Sequence, residues 1–152
     1  MFKKLINSTL VLAVMAFGVS GGLVVAESID DMTPVTDEML LNPSDSDWLM
    51  WRRTYDGWGY SPLDQINKEN VSELRLAWAW GMSPGGRTQE TPVVHDGIMF
   101  VQNSSHVIQA LDASNGDLIW EYDYDLPDDA RIQGVRSKAI YGDNLIIATR
   151  DA

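Results

Sequence analysis

The 152 residues suit one domain, and 45% hydrophobic residues with six tryptophans mark a chain that folds rather than one that stays disordered. No cysteine is present, which excludes disulfides, a thiolate zinc site, a c-type haem attachment and a lipoprotein anchor within these residues. The formal net charge is −11, and a surface of that sign repels polyanions, so nucleic acid is not an expected partner.

Residues 1–26 read as an export signal. Lys3 and Lys4 form a positive start, an apolar run covers residues 10–17, and Val24-Val25-Ala26 offers small or modest side chains at a cleavage site. The stretch 5–26 is nearly long enough to span a membrane, but Asn7, Ser8, Ser20 and three glycines weaken that reading. Cleavage after Ala26 leaves 9 basic against 22 acidic residues, a net charge of −13. That charge serves solubility first; a basic electron-acceptor protein would also feel it.

Residues 27–73 form an extension with short helices. Thr36 can cap a helix over residues 37–41, with Asp37 and Glu38 at its positive end and Asn42-Pro43 as its stop. Five residues cannot stand alone, so this helix must dock. An aromatic stretch with bends at Gly57 and Gly59 follows, from Trp48 through Trp51, Tyr55 and Trp58 to Tyr60. Asn67 then looks like the cap of one helical turn holding Val71 and Leu74.

From residue 74 the period becomes two. Leu74, Leu76, Trp78 and Trp80 alternate with Arg75, Ala77 and Ala79, which predicts a strand with one bulky face. Short strands are expected over residues 92–95, 98–102, 107–111 and 118–122. Asp96-Gly97 suits a two-residue hairpin turn, and Gly116 suits a positive φ in the turn over residues 112–116. Short antiparallel strands without a long helix make the expected class all-β.

A repeat is present. Moved forward by 46 positions, residues 93–103 fall on residues 139–149 without a gap: Val94 meets Ile140, Met99 meets Leu145 and Val101 meets Ile147. A period of about 40–50 residues per four-stranded unit is that of a propeller blade, because one twisted sheet cannot cover both of its own faces. About one and a half blades fit into the chain, which would end inside its second blade.

Ala110-Leu111-Asp112-Ala113-Ser114-Asn115-Gly116-Asp117-Leu118-Ile119-Trp120 resembles the tryptophan-docking motif of quinoprotein propellers. Cofactor-free propeller scaffolds of the cell envelope carry similar motifs. Tyr60-Ser61-Pro62-Leu63-Asp64-Gln65-Ile66-Asn67, with Asn70-Val71 and Ala77-Trp78, resembles more specifically the opening of alcohol dehydrogenases that use pyrroloquinoline quinone (PQQ). Gln89-Glu90-Thr91-Pro92-Val93-Val94 adds to this likeness, which covers about residues 34–152.

The resemblance implies that residues 74–152 are the first blades of an eight-bladed quinoprotein β-propeller. It implies a periplasmic enzyme holding PQQ and Ca²⁺ near its axis, oxidising an alcohol or aldehyde by hydride transfer and passing electrons to a cytochrome or quinone. By position, Glu90 would hydrogen-bond PQQ, Arg136 would pair with one of its carboxylates and Thr149 would line the site. Arg131 competes with Arg136, and the plainer readings are a loop glutamate, a strand-edge arginine and a core threonine. The catalytic aspartate and metal ligands of the family lie downstream of residue 152, so no catalytic or metal-binding residue is assigned.

One departure stands out. Many alcohol and methanol dehydrogenases of the family this chain resembles carry adjacent, disulfide-linked cysteines a few residues before that arginine, whereas here the stretch is Ala130-Arg131-Ile132-Gln133-Gly134-Val135-Arg136, which sets the chain apart from the methanol and ethanol subgroups. Asp123, Asp125, Asp128 and Asp129 lack the EF-hand spacing and read as a solvated loop. His95 reads as a turn residue and His106 as a loop or strand-end residue, both without metal-ligand spacing. The alternative function is a cofactor-free scaffold for protein binding. The 152 residues alone are expected to be inactive.

Overall fold

The computed structural model describes residues 29–82, 89–103, 107–124, 136 and 138–148. The short helix α1 (Asp37–Leu41) forms as expected: the Thr36 hydroxyl accepts from the Met39 amide at 3.3 Å, and the Asn42 amide donates to the Glu38 carbonyl at 2.8 Å. It buries Leu40 alone, so docking rather than propensity holds it. Single 3₁₀ turns lie at Ile29–Asp31 and Val71–Glu73.

Four strands follow as one antiparallel sheet in chain order: β1 (Val93–His95), β2 (Ile98–Gln102), β3 (Val107–Asp112) and β4 (Leu118–Asp123). Asp96 and Gly97 have φ of 48° and 76°, the paired left-handed conformation of a type I′ turn that matches strand twist. Between β3 and β4 the Asp112 carboxylate accepts from the Ser114 amide at 2.8 Å and its hydroxyl at 2.6 Å, and Gly116 takes φ 81°.

A second hairpin, β5 (Lys138–Tyr141) with β6 (Asn144–Ile147), repeats the first. Val93 pairs with Phe100, Val94 with Met99 and His95 with Ile98; 46 residues on, Ala139 pairs with Ile146, Ile140 with Leu145 and Tyr141 with Asn144. The sequence repeat is therefore a repeat of register.

The two hairpins bury opposite faces. In the first, Val93, His95, Ile98 and Phe100 are buried; their equivalents Ala139, Tyr141, Asn144 and Ile146 are not. The second unit turns its other face inward, with Lys138 and Ile140 buried. Ile140 joins Val93, Ile98, Phe100 and Ala110 in one core with Val35, Leu40 and Leu49, and Trp120 and Leu145 pack on its edge. The units thus stack front to back.

The extension stitches the stack together. Trp48 and Val94 exchange amide bonds of 2.8 and 2.9 Å, Met50 bridges Ala139, and the Ile140 amide donates to the Leu49 carbonyl at 2.9 Å. Residues 48–50 therefore lie between β1 and β5. Val35 and Gly142 exchange bonds of 3.0 and 2.8 Å. Arg53 braces the preceding loop from a left-handed backbone, φ 69°, donating to the carbonyls of Pro43, Ser44 and Asp47.

The strand expected over residues 74–80 is not formed. Leu76 is 84% exposed, and no ladder partner runs beside it among the described residues. The alternation still holds for the rings: Trp78 donates to the Ala113 carbonyl at 3.1 Å and Trp80 to Gln109 Oε1 at 2.9 Å, laying the segment against the four-stranded sheet. Val71 and Leu74, at the turn expected there, are half exposed.

Candidate cofactor site

Glu90 precedes β1 by three residues, and Lys138 opens β5. Their side chains form an ion pair across the joint between the two sheet units, the lysine side chain fully shielded and the glutamate 3% exposed. Lys138 Nζ also donates to the Thr91 carbonyl at 3.3 Å. Burial alone pushes the Lys138 amine down to about 7. The adjoining carboxylate supplies the counter-charge that keeps a proton there.

Arg136 lies two residues before Lys138 and is exposed. No ion pair engages it among the described residues. The structure therefore places Glu90 at the joint with Lys138, and Arg136 two residues before that lysine in the chain. Thr149 and the competing Arg131 lie outside the described residues, as do His106 and Asp125, Asp128 and Asp129 of the acidic cluster. A group bearing carboxylates fits an exposed guanidinium beside this joint; Glu90 faces inward, onto Lys138.

Lys138 escaped the sequence reading. The available signal was its parity: it shares a strand face with Ile140, and that face is the buried one.

His95 lies at the end of a strand rather than in the turn. Expected as a turn residue, it is 1% exposed on β1 and holds three segments together. Its Nε2 lies 2.8 Å from the Thr33 carbonyl, and its Nδ1 lies 3.3 Å from Asp47 Oδ2. Asp96 Oδ2 lies 3.6 Å from Nε2 and accepts from the Thr33 amide at 2.7 Å. Burial opposes charge on this ring, but the Asp47 carboxylate, the Thr33 carbonyl and Asp96 together raise its pKa above the ordinary value.

A cleft of about 770 Å³ opens between the outer strands of the first unit and β6, lined by Phe100, Ile108, Trp120, Tyr122, Leu145 and Ile147. It contains none of Glu90, Arg136 or Lys138. Its walls are sheet faces, so it reads as unfilled packing space between units rather than a site.

Residues 48–144 match the glucose/ethanol/alcohol dehydrogenase β-propeller domain. The dehydrogenase subunit of a quinone alcohol dehydrogenase of Gluconacetobacter polyoxogenes is 33% identical over 127 residues, 82% of this chain and 17% of that protein. A solved quinohemoprotein alcohol dehydrogenase of Pseudomonas putida has a TM-score of 0.70 at 30% identity, covering 78% of this chain and 18% of that one. The Comamonas testosteroni quinohemoprotein alcohol dehydrogenase gives 0.61 at 31% identity, over 76% and 18%. The chain thus spans under one fifth of the length of these relatives.

Proposed function

This chain belongs to the PQQ family of glucose, ethanol and alcohol dehydrogenase β-propellers, and from that premise we propose that it is the opening part of a periplasmic enzyme oxidising an alcohol or aldehyde. Its two stacked units are the first blade and the inner hairpin of the second. The observation that supports the reading is the stacking of two blade-like units whose hairpins repeat the same register 46 residues apart, with Glu90 held at the joint between them by Lys138.

PQQ, when bound, supplies a hydride acceptor. The residues of this chain bind and orient. Arg136 offers a planar fork to a carboxylate, and Glu90 would have to turn away from Lys138 to offer an acceptor oxygen. Thr149 would line the same site. The catalytic base and the calcium ligands would come from outside these residues, so the 152 residues bind at most and do not turn over substrate. A cytochrome or quinone would take the electrons. Nucleic acid has no part in this, given the acidic charge.

Two measurements test the reading. The mature protein recovered from the periplasm should begin at Glu27. Periplasmic extract from cells expressing the gene should oxidise alcohols with a dye acceptor, and this activity should vanish when PQQ synthesis is blocked. Blades that persist in the envelope with no PQQ-dependent oxidation would instead identify a cofactor-free binding scaffold.

A further inference from the structure

The two sheet units differ in width. The first turns Phe100, Ile108, Trp120 and Tyr122, from β2, β3 and β4, toward its neighbour, which answers with β5 and β6 alone among the described residues. The cleft of about 770 Å³ is the space past β6. It is continuous with the core between the units, since Phe100 and Ile140 belong to both. On its wall Tyr122 stacks on Trp120, with ring centroids 6.0 Å apart, and is left 48% exposed.

β6 also has an open edge. Among the described residues its one strand partner is β5. The pair Tyr141–Asn144 closes a two-residue turn, so Asn144 and Ile146 exchange their backbone bonds with β5. The amides and carbonyls of Leu145 and Ile147 then point away from β5, and the side chains of the same two residues line the cleft. In the first unit Met99 and Val101, which stand 46 positions earlier, pair with Leu111 and Gln109 of β3. The edge of β6 is thus built as the edge of β2 is, and β2 takes a strand.

The register states what fits. An added strand runs antiparallel to β6, and its residues opposite Leu145 and Ile147 face the wall formed by Ile108 and Trp120. Gln109 serves in β3 because the Trp80 indole donates to it. Against an aliphatic and aromatic wall both positions call for apolar side chains.

We propose that the edge of β6 and the cleft beside it form an acceptor for one extended strand, antiparallel to β6 and apolar opposite Leu145 and Ile147. The acceptor stands ready before that strand arrives, so it captures the strand even as a separate peptide. Backbone bonds supply the affinity, and the cleft selects the alternating side chains.

Hydrogen exchange followed by NMR on the dilute 152-residue chain tests this. The probe is an acetylated and amidated peptide, Lys-Val-Thr-Leu-Thr-Leu-Thr, whose leucines fall opposite Ile147 and Leu145. Saturating peptide should slow exchange at the Leu145 and Ile147 amides about tenfold or more, while Asn144 and Ile146, already bonded to β5, change little. N-methylation of the two leucines, whose amides face β6, should weaken binding about tenfold or more; N-methylation of the threonines should leave it within about threefold. Equal losses, or no slowing at Leu145 and Ile147, overturn the proposal. These peptide changes leave the chain intact, so they hold whatever a protein variant does to folding.

On the chain itself, Ile147→Asp should abolish binding and Ile146→Lys, on the opposite face, should not. The reverse pattern would assign the peptide to the outer face of the second unit and overturn the acceptor. Slow exchange at Leu145 and Ile147 without peptide, relieved on dilution, would identify a second copy as the occupant and overturn it too.

Discussion

Both ring nitrogens of His95 face oxygens that only accept, the Thr33 carbonyl and the carboxylates of Asp47 and Asp96. A neutral imidazole has one N–H and cannot satisfy both sides, whereas the imidazolium can. Its pKa is raised on folding, so its contribution to stability is complete below the ordinary value of 6.5 and is lost as pH rises through the higher folded value. Asp96 acts in the opposite sense. Burial works against its charge, yet its bond from the Thr33 amide and the nearby ring hold its pKa below the ordinary 3.8, so its contribution is lost only in strong acid. Stability should therefore fall in urea titrations as pH rises above the ordinary imidazole value of 6.5. His95→Gln should flatten that slope and cost about 2 kcal/mol at mildly acidic pH, since it leaves Asp47 buried without its cation. An unchanged slope would place the pH dependence elsewhere. This cluster was not legible in the sequence, because Thr33 and Asp47 lie 62 and 48 positions from His95 and nothing local signals their meeting. The roles proposed for Glu90 and Arg136 come only from likeness to a family, and the burial of Lys138 against Glu90 was legible by neither route, since it depends on stacking between units.

The turn before β4 couples two elements at one glycine. Gly116 has φ 81°, and a Cβ built there would sit 2.6 Å from Cε3 of the Trp78 ring. Gly116→Ala therefore meets both backbone strain and a clash with an aromatic ring, and should cost about 2 kcal/mol or more. In a Trp78→Ala background the same change should cost less, because only the backbone strain remains; equal costs would show that the ring moves aside freely. Thermal unfolding followed by circular dichroism reads both, since it does not depend on the deleted indole. Element-scale structure was the most legible in the sequence. The type I′ hairpin, the β3–β4 turn, the capped helix and the 46-residue register all follow from local chemistry: Asp-Gly, a left-handed glycine, Thr36 before two acids, and strand alternation. The strand expected over residues 74–80 failed for a physical reason. Alternation fixes which side chains share a face, and the indoles of Trp78 and Trp80 do lie on the sheet. A strand also needs a neighbouring backbone, which periodicity cannot supply.

Front-to-back stacking has a consequence for the whole molecule, because such an arrangement leaves one face of its last unit uncovered until the units close into a ring. The first unit presents Val93, Ile98 and Phe100 to the second, and the equivalent positions of the second unit face outward. Tyr141 is 46% exposed there and Ile146 53%. In a longer propeller this face would receive the next blade, but in these 152 residues it has no cover among those described. A twisted sheet with an apolar open face associates with copies of itself, most readily through the same face that would take its successor. The chain should therefore show concentration-dependent association in sedimentation velocity despite its net charge of −11. Ile146→Lys should lower that association without changing thermal stability by more than about 0.5 kcal/mol, since the residue packs on little. Leu76→Lys, on the extended segment across the first unit, serves as the comparison, being 84% exposed but on no sheet face. If Leu76→Lys disperses the chain and Ile146→Lys does not, the sticky surface is the unpaired segment and not the open blade. If Ile146→Lys alone disperses it, the front-to-back order of the two units extends to the surface that a third would occupy.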